Sequence, residues 1–598
     1  MHNQHFNVVL DYDRDNLFDA LGLKRLRESY MRPEENSPQE RYAYVSKAFA
    51  SNESHAQRLY DYASKHWLSY STPILSYGKS KNGLAISCYL SFLPDTSEGL
   101  INTLSEVNTL SMLGGGVGIH VGIRGADDKS VGVMPHLKVY DASSLAYKQG
   151  TRRGSYATYL DINHPDIIQF LEMRKPTGDQ NMRAMNLNHA VNITDDFMQI
   201  IEKCMLDPSY DDSWDLVQPN SGKVVETVSA KALWMKILET RIQTGEPYLH
   251  FIDTANKALP EFQKALGLSI KGSNLCQEIE LPTDENRTAV CCLSSLNLEY
   301  YDEWENDPLF IHDVAEMLDN VLEVFIKDAP DSISRAKYSA MQERAIGVGA
   351  LGFHAYLQKN DVAFESAIAK SINNSIFKHI ADELEEANLA LGEERGACPD
   401  AADVVPARRF SNVSAVAPNA SSSLILGNTS PSIEPFRANA YRQDTTSGAF
   451  FTRNRFLAKI LEDKCKELGT DVEEVWGSII SNDGSVQHLD WLDDHTKEVY
   501  KTAMEINQMW IIDLAADRQK HITQGQSVNI FMRPDVNIKY LHAVHFAAWK
   551  KGLKGLYYLR SDKLRKADKL SAVVKLKAIE SEVDLKSIIE ETGCIACE

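Results

Sequence analysis

One stretch near the C-terminus constrains the fold more than any other. Ser527-Val528-Asn529-Ile530-Phe531-Met532 reads as a strand, and Asp535 follows as the cap of a helix. Ile538, Leu541, Val544 and Ala548 recur at helical spacing, Gly552 ends the helix, and Gly555-Leu556-Tyr557-Tyr558-Leu559 is the next strand. This is a βαβ unit of the expected length, so the chain contains parallel sheet. Alternation of helix and strand elsewhere makes the fold class α/β.

The 598 residues, 43% hydrophobic and 24% charged, suffice for several domains or one large elaborated one. A net charge of −20 argues against a general nucleic-acid binder, which needs basic surface to meet phosphates. Met1-His2-Asn3-Gln4-His5-Phe6-Asn7 lacks the basic and apolar regions of a signal peptide. No apolar run reaches the roughly 18 residues of a membrane span. The expected location is the cytoplasm, with no membrane partner. Nine scattered cysteines suit reduced or catalytic thiols better than a secreted disulfide framework.

Ser37-Pro38-Gln39-Glu40 forms a capping box before Tyr42, Val45 and Phe49, giving a helical N-terminal region over 1–70. Ala85-Ile86-Ser87-Cys88-Tyr89-Leu90 reads as a strand. Asp95-Thr96-Ser97-Glu98 starts a helix with Leu100, Leu104 and Val107 on one face, stopped by Gly114-Gly115-Gly116. Gln149-Gly150-Thr151-Arg152-Arg153-Gly154-Ser155 places two guanidinium groups among glycines, as an anion-seeking loop or a solvated turn. The span from about 165 to 245 reads as helical, with Phe197, Ile201, Leu233, Ile237 and Ile242 at apolar positions.

Ser273-Asn274-Leu275-Cys276-Gln277-Glu278-Ile279-Glu280-Leu281 alternates apolar and polar residues and reads as a short strand with Asn274, Cys276 and Glu278 on one face. There the carboxylate can accept a proton, the amide can hold a hydroxyl, and the sulfur can exchange a hydrogen atom. An edge strand with Cys276 as a small hydrophobe is the blander alternative. Ala289 to Leu298 is a second strand in which only one of Cys291 and Cys292 can face a shared site. No ligand spacing completes a zinc site, so no metal is expected. Val413 to Pro418 is strand-like and leads to Asn419-Ala420-Ser421-Ser422-Ser423, a helix start suited to a phosphate or an ordinary N-cap. Gly593-Cys594-Ile595-Ala596-Cys597 ends the chain with a C-x-x-C pair suited to dithiol exchange.

Taken together, Asn274-Leu275-Cys276-x-Glu278, the strand cysteines Cys88 and Cys291, Pro418-Asn419-Ala420-Ser421-Ser422, Tyr557-Tyr558 and the terminal Cys594 and Cys597 closely resemble the large catalytic subunit of class I ribonucleotide reductase. The likeness runs from about residue 70 to the end. It implies a ten-stranded α/β barrel of two five-stranded parallel halves over 71–560, with Cys276 on a central finger loop, and a mobile tail over 561–598. The finger loop replaces the strand reading of 273–281.

The resemblance implies that Cys276 becomes a thiyl radical and takes the ribose 3′-hydrogen, with Glu278 as base on the 3′-hydroxyl and Asn274 holding the sugar. Cys88 and Cys291 would supply the proton and electrons and leave as a disulfide; Cys292 fills a position that is not usually cysteine. Thr72, Ser87, Gly116 and Asn419, Ala420, Ser421, Ser422 match substrate contacts. Asp95, Arg124 and Arg153 match a specificity site where a deoxynucleotide or ATP binds at a homodimer interface, Arg124 with altered local spacing. Tyr558 and Tyr557 would relay a radical from a small metal-containing beta subunit, so no cofactor would be held permanently in this chain. Cys594 and Cys597 would pass electrons from thioredoxin or glutaredoxin.

Only 87 residues precede Cys88, and no ATP-cone pattern is present there, so overall control by ATP and dATP would be lost or lodged in the partner. The expected substrates are ribonucleoside diphosphates. The rival readings are an adenosylcobalamin-dependent reductase, which does not need the tyrosine pair, a non-catalytic nucleotide-binding paralogue, and a plain thiol-disulfide oxidoreductase, which does not need Asn274 or the serine turn.

Overall fold

The computed structural model describes residues 4–80, 83–147, 154–445 and 448–561. Helices Ala20–Ser29, Pro38–Phe49 and Glu53–Ser64 come first, started by Asp19, Ser37 and Asn52, whose side chains accept the backbone N–H of Gly22, Gln39 and His55. The box expected at Ser37 is half formed, because Glu40 reaches back to the N–H of Asn36 at 2.7 Å and not to Ser37. A short strand, Leu68–Tyr70, leads out of this region and pairs antiparallel with the barrel.

Five strands form the first half of the barrel: β1 (Cys88–Leu93), β2 (Gly116–Val121), β3 (Ser155–Asp161), β4 (Asn188–Ile193) and β5 (Tyr248–Phe251), each parallel to the next. The second half starts with β6 (Ala289–Asn297) and β7 (Ile346–Leu351), parallel to each other. An extended segment, 413–416, continues it through a parallel bridge from Val348 to Ser414, and Val416 bridges in parallel to Gln526. The chain from Gln526 runs into β8 (Ile530–Phe531), which pairs in parallel with β10 (Leu559–Arg560). The halves meet antiparallel at two seams, β1 against β6 and β5 against β9 (Gly555–Leu556). The ring therefore closes with five strands in each half, and closure leaves no free sheet edge.

Side chains on the barrel strands alternate. Cys88, Leu90, Ala157, Tyr159, Ala289, Cys291 and Leu293 line the interior, while Tyr89, Tyr156, Val290 and Cys292 pack outward against the helices. The Ser97–Met112 helix, capped by Thr96, ends before Gly114, whose φ of 97° turns the chain into β2. No helix among the described residues is long and apolar enough to cross a membrane.

Several local expectations need correction. The strand read over 85–90 begins at Cys88, where pairing with Gly116 starts. The span 165–245 contains the expected helices Asp195–Leu206 and Ala230–Thr244, but also β4 and a hairpin, Ser213–Val217 with Val224–Ser229. Periodicity misses β4 because its buried His189 and Asn192 are polar, bonded to Glu246 at 3.0 Å and Asp161 at 2.8 Å. The helix Ile538–Lys550 is capped by Asn537, which accepts from Lys539 N–H at 2.8 Å, and not by Asp535. The strand read at 555–559 is broken into β9 and β10, since the run changes partner at the seam.

The largest correction concerns 273–281, which is not a strand. It is a loop between β5 and β6 that passes through the ring, with a turn at Leu275-Cys276-Gln277 where Gln277 takes a φ of 64°. The barrel strands already pair with one another, so no sheet edge remains for it to join. The wall is thinned where the loop passes. A Cβ at Gly118 would lie 1.9 Å from the Ser273 carbonyl oxygen, and one at Gly555 would lie 2.4 Å from Gln277 Nε2.

Candidate active site

Asn274 shapes the tip of the loop. Its Oδ1 accepts the N–H groups of Glu278 at 3.1 Å and Ile279 at 3.2 Å, and its Nδ2 donates to Glu278 Oε1 at 2.8 Å. The amide thus holds the turn closed and orients the carboxylate, with Cys276 at its apex and wholly buried. Tyr159 donates its hydroxyl to the Asn274 carbonyl at 2.7 Å, and Ser527 donates to Glu278 Oε2 at 3.3 Å.

Cys88 Sγ lies 3.8 Å from Glu278 Oε1 as a sulfur donor. Cys88 and Cys291 are directly opposed across the antiparallel seam, and both thiols belong to the interior cluster that contains Cys276. Burial pushes the Cys291 thiol well above its ordinary range, against the amide of Gln524, which donates to its sulfur at 3.4 Å. Cys292 Sγ points outward to the Leu318 carbonyl at 3.7 Å. Of the two neighbouring cysteines, only Cys291 faces the loop.

Tyr557 and Tyr558 lie between β9 and β10 with ring centroids 4.3 Å apart. Tyr248, at the start of β5, packs on both, at 4.7 Å and 5.0 Å. Burial, reinforced by the charge of Glu246, pushes the Tyr558 phenol up to about 12. Tyr557 sits in the same interior cluster as Cys276.

Because the two halves run in opposite directions, the end of 413–416 lies at the same end of the barrel as the starts of β1 and β2. This end gathers Ser87, Gly116 and Asn419 to Ser422. Gly116 N–H donates to the Ser87 carbonyl at 2.8 Å. Asn419, at a φ of 56°, donates its Nδ2 to Ser295 Oγ at 3.1 Å and so fixes the turn before the helix Ala420–Ile425. Thr72 is buried, its hydroxyl 3.2 Å from that of Tyr30. Asp95 and Arg124 pair at 2.7 Å beyond the far ends of β1 and β2. Six-residue strands separate the two groups by roughly 20 Å.

Arg153, Cys594 and Cys597 fall outside the described residues. One trio with metal-ligand potential, His55, Asp313 and Glu316, occurs among those described. Its Asp313 is already gripped by Arg58 at 2.6 and 2.8 Å. Tyr159, Tyr248 and Gln524 enter the site unannounced by the sequence. Ser527 had a signal only as the first residue of the strand read over 527–532, which the structure shortens to Ile530–Phe531.

Comparison with known proteins gives a consistent result. The family model described as ribonucleotide reductase, all-alpha domain, matches residues 16–83, and that described as ribonucleotide reductase, barrel domain, matches 86–403 and 406–559. The chain is 52% identical to the ribonucleoside-diphosphate reductase large subunit of Invertebrate iridescent virus 3, covering 94% of this chain and 97% of that one. It is 30% identical to the corresponding large subunit of Caenorhabditis elegans, over 99% of this chain and 82% of that one. The solved class Id ribonucleotide reductase alpha subunit of Actinobacillus ureae superimposes with a TM-score of 0.81 at 34% identity, over 92% of this chain and 98% of that one.

Proposed function

Since this chain belongs to the ribonucleotide reductase family as a large subunit, we propose that its reaction, the reduction of ribonucleoside diphosphates to 2′-deoxyribonucleoside diphosphates, runs at Cys276 on the finger loop. A Cys276 thiyl takes the 3′-hydrogen atom of the ribose. Glu278 accepts the 3′-hydroxyl proton, and Asn274 holds the sugar hydroxyls. Loss of the 2′-hydroxyl as water is driven by Cys88 and Cys291, which together give two electrons and two protons and join as a disulfide. Cys276 then returns the hydrogen atom to C3′. The observation that carries this reading is the convergence on one buried interior of Cys276, the Glu278–Asn274 pair and the opposed cysteines Cys88 and Cys291.

A class I alpha subunit works with a beta subunit, and in this reading Tyr558 receives the radical from it and Tyr557 passes it to Cys276. The 4.3 Å ring separation supports direct exchange between the two. Thr72, Ser87, Gly116 and Asn419 to Ser422 take the substrate, the last four its phosphates. Asp95, Arg124 and Arg153 take a nucleotide effector. Exposed Ile101, Met112, Val139 and Leu145 on the adjacent helices Ser97–Met112 and Val133–Ala146 support a homodimer contact beside that site. The tail over 561–598 carries Cys594 and Cys597 as the dithiol that thioredoxin or glutaredoxin recharges.

The test is deoxyribonucleotide formation from a ribonucleoside diphosphate with reductant and effector, supplying the beta subunit from the same source in one arm and adenosylcobalamin in another. Product in the beta arm alone, absent with Cys276→Ala, is expected. Product with cobalamin alone would overturn the tyrosine relay, and product from Cys276→Ala would overturn the whole site.

A further inference from the structure

The turn at Asn419 to Ser422 presents hydroxyl and amide groups to a diphosphate but no positive charge of its own. A cation reaches it from the other end of the chain. Arg25, on the helix Ala20–Ser29, donates from Nη2 to Ser421 Oγ at 3.3 Å across 396 residues of sequence. It is half-buried and pairs with no carboxylate among the described residues. A guanidinium with donors to spare and no anion to match is suited to phosphate oxygens.

The helix is seated to deliver it. Gly22, three residues earlier and so on the same face, packs against the phosphate-turn helix so closely that a Cβ there would lie 2.4 Å from the Leu424 carbonyl oxygen. Any larger residue at 22 would lift Arg25 away from Ser421. The same N-terminal region also places Tyr30 on Thr72 at 3.2 Å.

We infer that Arg25 is a substrate-binding residue that pairs with the phosphates of the ribonucleoside diphosphate, so that the N-terminal helical region completes the substrate site. This rests on the reading of Asn419 to Ser422 given above. When substrate enters, Ser421 shares the guanidinium with a phosphate oxygen, and the nucleotide is held between two regions distant in sequence.

Equilibrium dialysis of full-length Cys276→Ala subunit, with effector present, separates binding from turnover. Adding Arg25→Ala should weaken ribonucleoside diphosphate binding about 10- to 100-fold, the range of a lost charge-assisted contact. Binding of the unphosphorylated ribonucleoside should stay unchanged, and Arg25→Lys should recover part of the loss. Arg27→Ala, exposed on the same helix, is the control and should bind as the parent does. Equal weakening for nucleoside and diphosphate would mark a displaced helix and overturn the inference. Diphosphate binding within twofold of the parent would overturn it as well, leaving the catalytic reading intact. Failure of the parent to bind diphosphate at all would instead bring down the reading on which it rests.

Discussion

Cys88 and Cys291 face each other as direct partners across the antiparallel seam between β1 and β6. Directly opposed residues of such a pair have Cα atoms about 4.5–5.5 Å apart, within the span a disulfide bridges. The two sulfurs can join without the barrel wall moving. A single turnover without external reductant should therefore leave one new disulfide, located by peptide mass mapping between these two residues. Cys291→Ser should abolish it, and Cys292→Ser should not. A bridge involving Cys292 would contradict the facing of the two side chains.

Tyr557→Phe and Tyr558→Phe should each abolish turnover with the beta subunit while diphosphate binding stays within about twofold, because each change removes only a phenol oxygen and keeps the ring. With the Tyr558 phenol held up to about 12 by burial, it stays protonated through pH 7–9. Its oxidation must release a proton along with the electron. Ultraviolet difference spectra over that range should show no phenolate that the Tyr558→Phe variant lacks; a phenolate signal that disappears with Tyr558 would refute this.

Glu343 offers a test of the fold's pH response. It lies wholly buried, with Ser339 and Gln263 donating to its carboxyl at 2.9 and 3.2 Å. Burial, and then the charge of Asp400, push it up to about 8 from an ordinary 4.5. A folded pKa above the unfolded one means the folded chain keeps a proton that the unfolded chain releases. Its stabilising contribution is complete below about pH 4.5 and is lost as pH rises toward 8, by no more than roughly 1.4 kcal/mol per unit. Glu343→Gln should flatten the fall in urea midpoint between pH 5.5 and 8. An unchanged slope would exclude Glu343 as its source.

Gly118→Ala should be far more damaging than its one carbon suggests, since the added atom meets the Ser273 backbone at 1.9 Å. Overpacking of this kind costs about 1–3 kcal/mol or displaces the weaker partner. Here that partner is the loop carrying Asn274 and Cys276. The melting temperature should fall and turnover should be lost together. Wild-type values for both would mean that the loop does not rest on this strand.

Much of the candidate site was legible because its groups come in short local patterns: Asn274, Cys276 and Glu278, the serine turn, the paired tyrosines. Geometry within those patterns was not. Alternation at 273–281 imitates a strand, yet polar and apolar residues alike are buried there, because the loop crosses the barrel and its Asn274, Gln277, Glu278 and Glu280 find hydrogen-bond partners inside it. β4 was hidden by its polar buried side chains, and Asp535 was preferred over Asn537 because either residue can cap. The resemblance supplied the closed ring, which periodicity cannot encode, since closure depends on pairings between strands such as β5 and β9 some 300 residues apart. Arg25 and Tyr159 had no signal, being brought in only by tertiary packing.

The threaded loop also orders events during synthesis. It is encoded between the two halves of the barrel, so the first five strands and the loop emerge from the ribosome before the second half can wrap them. No chain end ever has to pass through a finished hole. The last wall strand to be made is the one that carries Tyr557 and Tyr558, and it closes the ring at both β5 and β8. The proposed radical route and the closed barrel are thus completed by the same few residues. On the proposed route, a chain ending before β9 would carry Cys276 but no conduit to it, and would gain the means to receive a radical only together with the closed ring that shields one.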